Sequence, residues 1–179
     1  MRIKIFVLLC LTAIMQFTGV TPLKASHYYY KQLSLKDGVT SAVRCILTDK
    51  QGFVWIGTKA GISRYDGHEL KKYVHSPNNP HSIPNNLIHQ IAEDEMSNIW
   101  ILTDKGIARY QRQSDDFFLP TDEKGNPIIA YSTCLTKDGV LFGSKDKVYF
   151  YSYRDSSLRL LQKLNKGSNF NISLLSLWN

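Results

Sequence analysis

A repeat of 45 residues constrains this chain more than any other feature of its sequence. Residues 49–65 read DKQGFVWIGTKAGISRY, and residues 94–110 read DEMSNIWILTDKGIARY. The two copies are identical at eight positions: Asp49/Asp94, Trp55/Trp100, Ile56/Ile101, Thr58/Thr103, Gly61/Gly106, Ile62/Ile107, Arg64/Arg109 and Tyr65/Tyr110. A chain of this kind folds as an array of similar units, each packed against its neighbours.

A weaker third copy covers residues 138–151. Leu141 takes the tryptophan position there, and Lys147 stands where the other copies have a glycine. We align Asp138 with Asp49, although this copy is shorter before Leu141. The residues expected to maintain the repeat are Trp55, Gly57, Gly61, Tyr65, Trp100, Gly106, Tyr110 and Gly143.

Each copy has the pattern of four short strands separated by turns. Runs rich in β-branched and aromatic residues alternate with glycine-containing turns, and the pair Asp66-Gly67 favours a tight hairpin. The predicted strands are 42–48, 53–58, 62–65 and 70–74 in the first copy, and 87–92, 99–103, 107–110 and 116–119 in the second. The sequence has no stripe of apolar residues at helical spacing, which excludes a helical solenoid.

Four-stranded units at this period are typical of β-propeller blades. The prediction is an all-β fold: an incomplete β-propeller with about three antiparallel four-stranded blades and the first strand of a fourth. Trp55 and Trp100 are expected to fill the wedges between neighbouring blades. Because propellers close with four to eight blades, we expect the chain to be a fragment of a larger propeller, either a natural truncation or part of a longer protein.

The repeat and the N-terminus together predict six segments. Arg2 and Lys4 precede an apolar run at 5–17, which is typical of a signal peptide at residues 1–25, cleaved after Ala25. The predicted segments that follow are an outer strand and linker at 26–38, blade 1 at 39–83, blade 2 at 84–130, blade 3 at 131–170 and the first strand of blade 4 at 171–179.

The distribution of charged residues argues against a nucleic-acid-binding protein. The net charge is +7, and no run of lysine and arginine marks a nucleic-acid surface.

After cleavage only two cysteines remain, Cys45 and Cys134, each four residues before the aspartate aligned above. That spacing places them two blades apart, too far for a disulfide, so we expect buried free thiols.

The first copy, at 49–67, resembles the two-component regulator propeller repeat, with its Trp-Ile-Gly-Thr, Gly-Ile and Arg-Tyr-Asp-Gly elements. The Asn/Pro-rich segment 76–86 is also typical of that family. A signal peptide followed by such repeats resembles the N-terminal part of hybrid two-component sensors of Bacteroidetes.

The resemblance implies a periplasmic sensor domain that detects glycan fragments and signals through a histidine kinase absent from these residues. It also implies anchoring of the full protein in the inner membrane, further propeller blades and a homodimer. For the chain itself we expect no enzyme activity, no cofactor, no membrane span in the mature segment and no contact with nucleic acid.

Candidate ligand contacts are polar residues of the turns and loops on one face of the predicted disc: Lys59, His75, His81, Asp104 and Lys105. A metal site at His75, His81 and His89 is disfavoured by their loose spacing. Two alternatives remain open. The chain could derive from a periplasmic propeller lyase or hydrolase, although its inner strands offer only Arg44, His89 and Gln90. It could also be a truncated remnant without function.

Overall fold

Each copy of the repeat forms one antiparallel sheet whose four strands follow their order in the sequence. The computed structural model describes residues 42–163. Sheet 1 contains β1 (Val43–Thr48), β2 (Val54–Thr58), β3 (Ile62–Tyr65) and β4 (Leu70–Tyr73). Sheet 2 contains β5 (Ile88–Glu93), β6 (Ile99–Thr103), β7 (Gly106–Gln111) and β8 (Asp116–Phe118). Sheet 3 contains β9 (Ser132–Leu135), β10 (Gly139–Gly143), β11 (Lys147–Ser152) and β12 (Leu158–Lys163).

The all-β prediction with three four-stranded antiparallel blades is confirmed. The ends of all eight predicted strands in the first two copies lie within one residue of the observed ends. The signal peptide with its cleavage at Ala25, the strand expected within 26–38 and the one at 171–179 lie outside the described residues. Within residues 42–163, no helix has the length and apolar character needed to cross a membrane.

A threonine and a glycine close the turn between the second and third strands of a blade. The Thr58 hydroxyl donates to the Gly61 carbonyl at 2.9 Å, and the Thr103 hydroxyl donates to the Gly106 carbonyl at 2.7 Å. Gly61 has a φ of 115°, and a Cβ atom there would lie 2.5 Å from the Tyr73 carbonyl oxygen. The turn therefore requires glycine for its backbone conformation and for the close passage of β4.

The repeated aspartate and tryptophan are hydrogen-bonded partners. Asp49 accepts a hydrogen bond from the indole Nε1 of Trp55 at 3.0 Å, and Asp94 accepts the same bond from Trp100 at 2.8 Å. Asp49 also accepts the backbone N–H groups of Gln51 and Phe53, and Asp94 accepts that of Asn98. Asp49 and Asp94 are 4% and 1% exposed, so both carboxylates are buried and satisfied. The six-residue spacing from aspartate to tryptophan thus has a direct physical cause.

The tryptophans fill the seams between blades, as the sequence predicted. Trp55 is fully buried, and its ring centroid lies 4.8 Å from that of Tyr110 in blade 2. Arg64, paired with Trp55 across β2 and β3, lies 5.9 Å from the Trp55 ring and donates to the Tyr110 hydroxyl. A tryptophan and an arginine of one blade therefore hold the tyrosine of the next.

The second seam repeats this arrangement. Trp100 is also fully buried, with its ring 4.8 Å from that of Tyr151 in blade 3. Arg109 lies 6.0 Å from the Trp100 ring and donates to the Tyr151 hydroxyl at 2.5 Å. Two apolar clusters, one at each seam, contain most of the buried core. The core of this part of the chain is thus divided between its blade interfaces.

The pairing of the third sheet confirms one part of its alignment. Leu141 pairs with Phe150 as Trp55 pairs with Arg64, so Leu141 does take the tryptophan position. Phe150 stands in the arginine position, which means that blade 3 contains neither member of the tryptophan–arginine pair at these positions.

The placements of Asp138 and Cys134 in the repeat were wrong. Thr136 follows Leu135, the last residue of β9, and occupies the position of Asp49. Its hydroxyl donates to the Gly139 carbonyl at 2.8 Å. Asp138 lies in the following turn and is exposed. Because this turn is one residue shorter, an alignment on the nearest aspartate is displaced.

Cys134 therefore does not occupy the position of Cys45. Cys134 pairs with Leu141, whereas Cys45 pairs with Gly57. Within residues 42–163 neither cysteine forms a disulfide, and both are half-buried rather than buried as expected. Burial raises the pKa of Cys45.

Asp115 joins the outer parts of blades 1 and 2. Its carboxylate accepts hydrogen bonds from the Tyr73 hydroxyl at 2.6 Å and from the Tyr110 hydroxyl at 2.5 Å. Lys71 also donates to it, and Arg64 lies 3.3 Å away. Burial alone would raise the pKa of Asp115, but these hydrogen bonds and the neighbouring positive charges outweigh it and lower the pKa to about 2.

Replacing Asp94 by alanine should lower the free energy of unfolding by about 2–3 kcal/mol, because the buried Trp100 indole and the Asn98 backbone N–H would lose their acceptor. Asp138→Ala is the matched control, since the exposed Asp138 has no such role, and it should change stability by less than about 0.5 kcal/mol. Urea unfolding measures both. Equal losses in the two variants would contradict the assignment of Thr136 to the aspartate position.

The Asp115 network predicts a stability that depends on acid pH. The unfolded carboxyl has a pKa of about 3.9, whereas in the folded chain it is about 2. A lowered pKa stabilises the fold above the unfolded value, and this contribution disappears as the pH falls through the folded value. Wild type should therefore be more stable than Asp115→Asn at pH 5, and the difference should shrink towards pH 2. A difference in urea midpoint that stays constant over this range would contradict the network.

Candidate binding face

The turns between second and third strands lie beside the loops that join one blade to the next. The Gly61 N–H donates to the Asn86 carbonyl at 2.9 Å, and the Asp104 N–H donates to the Leu87 carbonyl at 3.2 Å. The connection from blade 2 to blade 3 makes the equivalent contact, because the Tyr131 N–H donates to a β10 carbonyl at 2.9 Å. We call this edge of the sheets the loop face; its segments are 59–61, 74–87, 104–105, 119–131 and 144–146.

The five candidate residues all lie on the loop face, but they do not form one group. Lys59 and Lys105 are exposed in the two turns. His81 is 60% exposed and lies 3.6 Å from Asp116, which is on the outer strand β8. The role of these residues in ligand binding remains a prediction.

His75 has a structural position in the loop at 74–87. Its backbone N–H donates to the Asn86 side-chain oxygen at 2.7 Å, and its ring Nδ1 lies 2.8 Å from the Ile83 carbonyl. A carbonyl can only accept, so Nδ1 carries the proton in this contact. Ile83 is fully buried. The His75 ring therefore joins the start of the loop to Ile83, a buried residue of the same loop.

Asp104 belongs to a small cluster near the inner strands. Its carboxylate oxygen lies 3.3 Å from His89 Nε2, where β5 begins. The His89 ring stands edge-on to the ring of Tyr131 at 6.0 Å, and Tyr131 is 52% exposed. We call Asp104, His89 and Tyr131 the inner cluster.

The inner cluster combines a carboxylate, an imidazole and an open aromatic face. Asp104 is half exposed, so its oxygens can accept hydrogen bonds from a ligand in solution. The ring of Tyr131 offers apolar contact beside these polar atoms. Such a combination suits a ligand with hydroxyl groups on a ring, because it needs both directed hydrogen bonds and a flat surface.

Sequence reasoning named Asp104 and His89 but missed Tyr131. Asp104 and His89 are 15 residues apart and meet only because β5 pairs with β6. Tyr131 comes from the next blade, just before β9. The only signal in the sequence is an aromatic residue immediately ahead of an inner strand, which by itself does not distinguish an exposed ring from a buried one.

Nothing in the described part of the chain assembles a metal-binding group. Within residues 42–163, no cluster of three or more histidine, cysteine, aspartate or glutamate side chains is placed to hold a metal ion. His75, His81 and His89 have separate partners: a carbonyl, Asp116 and Asp104 respectively.

Three consecutive four-stranded sheets, joined by buried aromatic seams, make this chain a β-propeller repeat protein. Residues 37–60 match the family model described as two component regulator propeller. The resemblance seen in the sequence is therefore confirmed.

Comparison with known proteins points in the same direction. Over 59 residues the chain is 37% identical to histidine kinase P4 of Formosa agariphila, a match that covers 32% of this chain and 4% of that protein. The extracellular domain of the hybrid two component system BT3049 from B. thetaiotaomicron matches with a TM-score of 0.60 and 20% identity, over 77% of this chain and 20% of that one. The corresponding domain of BT4673 from the same organism matches with a TM-score of 0.53 and 24% identity, over 68% of this chain and 16% of that one.

These structural likenesses establish the fold. In each pair the matched part is a fifth or less of the relative's chain.

The different positions of His75 and His81 predict different effects of mutation. His75→Ala should remove the tie to the Ile83 carbonyl, lower stability by about 1 kcal/mol and speed cleavage of the loop at 74–87 several-fold. His81→Ala, the matched control in the same loop, should leave both nearly unchanged because its ring is exposed. Limited proteolysis with mass spectrometry measures the cleavage rate. Equal rates in the two variants would mean that His75 does not anchor the loop.

Proposed function

We propose that this chain is a propeller segment of a periplasmic sensor in a hybrid two-component system. In this proposal the propeller recognises glycan fragments, and a histidine kinase region in another part of the protein transmits the signal. The observation that carries the proposal is the match of residues 37–60 to the two component regulator propeller model, in a chain whose three sheets have the propeller arrangement. The relatives support it further: one is named a histidine kinase, and two are extracellular domains of hybrid systems.

The inner cluster is the proposed centre of glycan recognition. Asp104 and His89 would hydrogen-bond ring hydroxyls, and Tyr131 would pack against the apolar face of a sugar ring. Lys59 and Lys105 stand at the exposed tips of the neighbouring turns and would contribute further donors. Two blades supply the cluster, so a ligand bound there would contact both at once.

The seams suggest how such contact would be transmitted. Trp100 and Arg109 of blade 2 hold Tyr151 of blade 3 in a buried, hydrogen-bonded contact. Close packing of this kind transmits strain between neighbours rather than absorbing it. A ligand that prefers one placement of the propeller in a dimer would shift the kinase equilibrium by its difference in affinity for the two states.

In this proposal the chain acts as a binding module rather than as an enzyme. Its exposed aromatic ring and its carboxylate–imidazole pair would supply the stacking surface and the hydrogen bonds for recognition of a sugar. The proposal places the chain in the periplasm, and the two solved structures that it resembles are described as extracellular domains. The dimer and the oligosaccharide ligand are further parts of the same proposal.

The proposal is tested by titrating the purified protein with a panel of oligosaccharides in a calorimeter. At least one should bind, and Tyr131→Ala should weaken that binding about tenfold, equivalent to about 1.4 kcal/mol. Phe118→Ala is the matched control, because Phe118 is an aromatic residue of similar exposure on an outer strand. It should leave the affinity unchanged.

Chromatography of the oligosaccharide before and after incubation separates binding from turnover. Recovery of the intact sugar supports a binding module, and its cleavage would favour the lyase or hydrolase alternative. Absence of binding by the complete ectodomain across the panel would overturn glycan sensing.

A further inference from the structure

The third blade departs from the repeat at a position where the other two require glycine. The repeat ends in Tyr65, Tyr110 and Tyr151 in the three copies. Four residues before these tyrosines stand Gly61, Gly106 and Lys147. In blade 1 a side chain could not fit, because a Cβ atom on Gly61 would lie 2.5 Å from the Tyr73 carbonyl oxygen. Blade 3 must therefore differ locally in order to accommodate a lysine.

A bulge in the outer strand provides this difference. Tyr149 pairs with Leu160, but the preceding Val148 pairs with Gln162, so that Leu161 is an extra residue in β12. In blade 1 the corresponding pairing of β3 with β4 runs without any such shift. The extra residue bends β12 close to Lys147, which stays paired with Lys163, and an open space lies on this side of the sheet.

Three lysines converge on that space. Lys147 pairs directly with Lys163 across β11 and β12, and Lys124 reaches the same place from the connection between blades 2 and 3. Like charges directly opposite on a sheet repel each other and destabilise it. Among residues 42–163, none of the three ammonium groups has a carboxylate within 4.0 Å. Asp122 and Glu123 border the same space, so two negative charges compensate the repulsion of the three lysines only in part.

The lysines border a cavity of about 340 Å³. Its apolar floor consists of Tyr149, which is 7% exposed, together with Leu158 and Leu160. Asp122 and Glu123 also line the cavity, so the three lysines leave it a net charge of +1 above an apolar base. Sites that bind an organic molecule with a single ionised group combine polar and apolar surfaces in this way.

One wall of the cavity is a tight hairpin at 121–127. The Asp122 carboxylate accepts the backbone N–H groups of Lys124 at 2.9 Å and Asn126 at 2.8 Å. The Asp122 carboxylate therefore closes its own turn; the Asn126 backbone N–H and, to a lesser extent, the charge of Lys147 lower its pKa. The hairpin is held in place independently of any ligand, so the cavity is already formed.

We propose that this cavity binds a small organic anion. A carboxylate, sulfate or phosphate group would lie between Lys147 and Lys163, with Lys124 supplying a further donor. An apolar portion of the same molecule would rest on Tyr149 and Leu160. The site lies on the outer strands of blade 3 and shares no residue with the inner cluster, so it is independent of the proposed glycan recognition.

The test uses benzoate, phenyl sulfate and phenyl phosphate as probes, with benzamide as the neutral analogue, at constant ionic strength. Titration followed by NMR should shift signals of blade 3 with at least one of the anions and not with benzamide. The ranking of the three anions identifies which oxyanion the site prefers. Equal binding of benzamide would overturn the proposal.

Lys147→Gln and Lys163→Gln should each weaken binding of the preferred anion at least fivefold. Lys137→Gln is the matched control, because Lys137 is exposed in the β9–β10 turn and should not affect binding. Thermal unfolding without probe should show that Lys147→Gln is as stable as wild type or more stable, since it removes the repulsion from Lys163. Unchanged affinity in both cavity variants, or the same loss in the Lys137 variant, would overturn the proposal.

Discussion

The buried hydrogen bond between an aspartate and a tryptophan is the interaction on which the described structure depends. Asp49 and Asp94 each fix an indole ring against the next blade. Once the ring is fixed, the arginine of the neighbouring strand and the tyrosine of the following blade complete the seam. A blade has little interior of its own, so these seams supply most of the apolar burial that offsets the entropy of ordering the chain.

The seams also determine where chemistry can occur. Because they hold neighbouring blades in a fixed order, the turns and interblade loops gather on one face, and residues from different blades meet there. The inner cluster arises in this way from Asp104 and His89 of blade 2 and from Tyr131 of the connection to blade 3. The lysine cavity arises from the opposite cause, a local departure from the repeat. Lys147 stands where blades 1 and 2 have glycine, and the cavity lies beside the bulge in β12.

Prediction from the sequence succeeded where the physical cause is local. The strands of the first two copies, the seam tryptophans and Leu141 in the tryptophan position were all predicted, because alternation and turn residues depend on near neighbours. It failed for Asp138 and Cys134, because the turn between β9 and β10 is one residue shorter than its counterparts. The resulting shift in register is visible only in the pairing of the two strands. It also missed Tyr131, whose exposure depends on the packing of two blades, and the structural tie of His75 to the Ile83 carbonyl.

The sequence by itself determined that this part of the chain is a series of four-stranded units, because the period and the recurring Asp, Trp, Gly, Arg and Tyr positions are properties of each unit. Only the tertiary structure decided which residues meet across units. One case is the Asp115 carboxylate, which contacts Lys71, Tyr73 and Tyr110. Another is the cavity that three lysines line together. The physical reason is that such contacts depend on the register of strands and the close packing of neighbouring sheets, where a shift of one residue changes every partner.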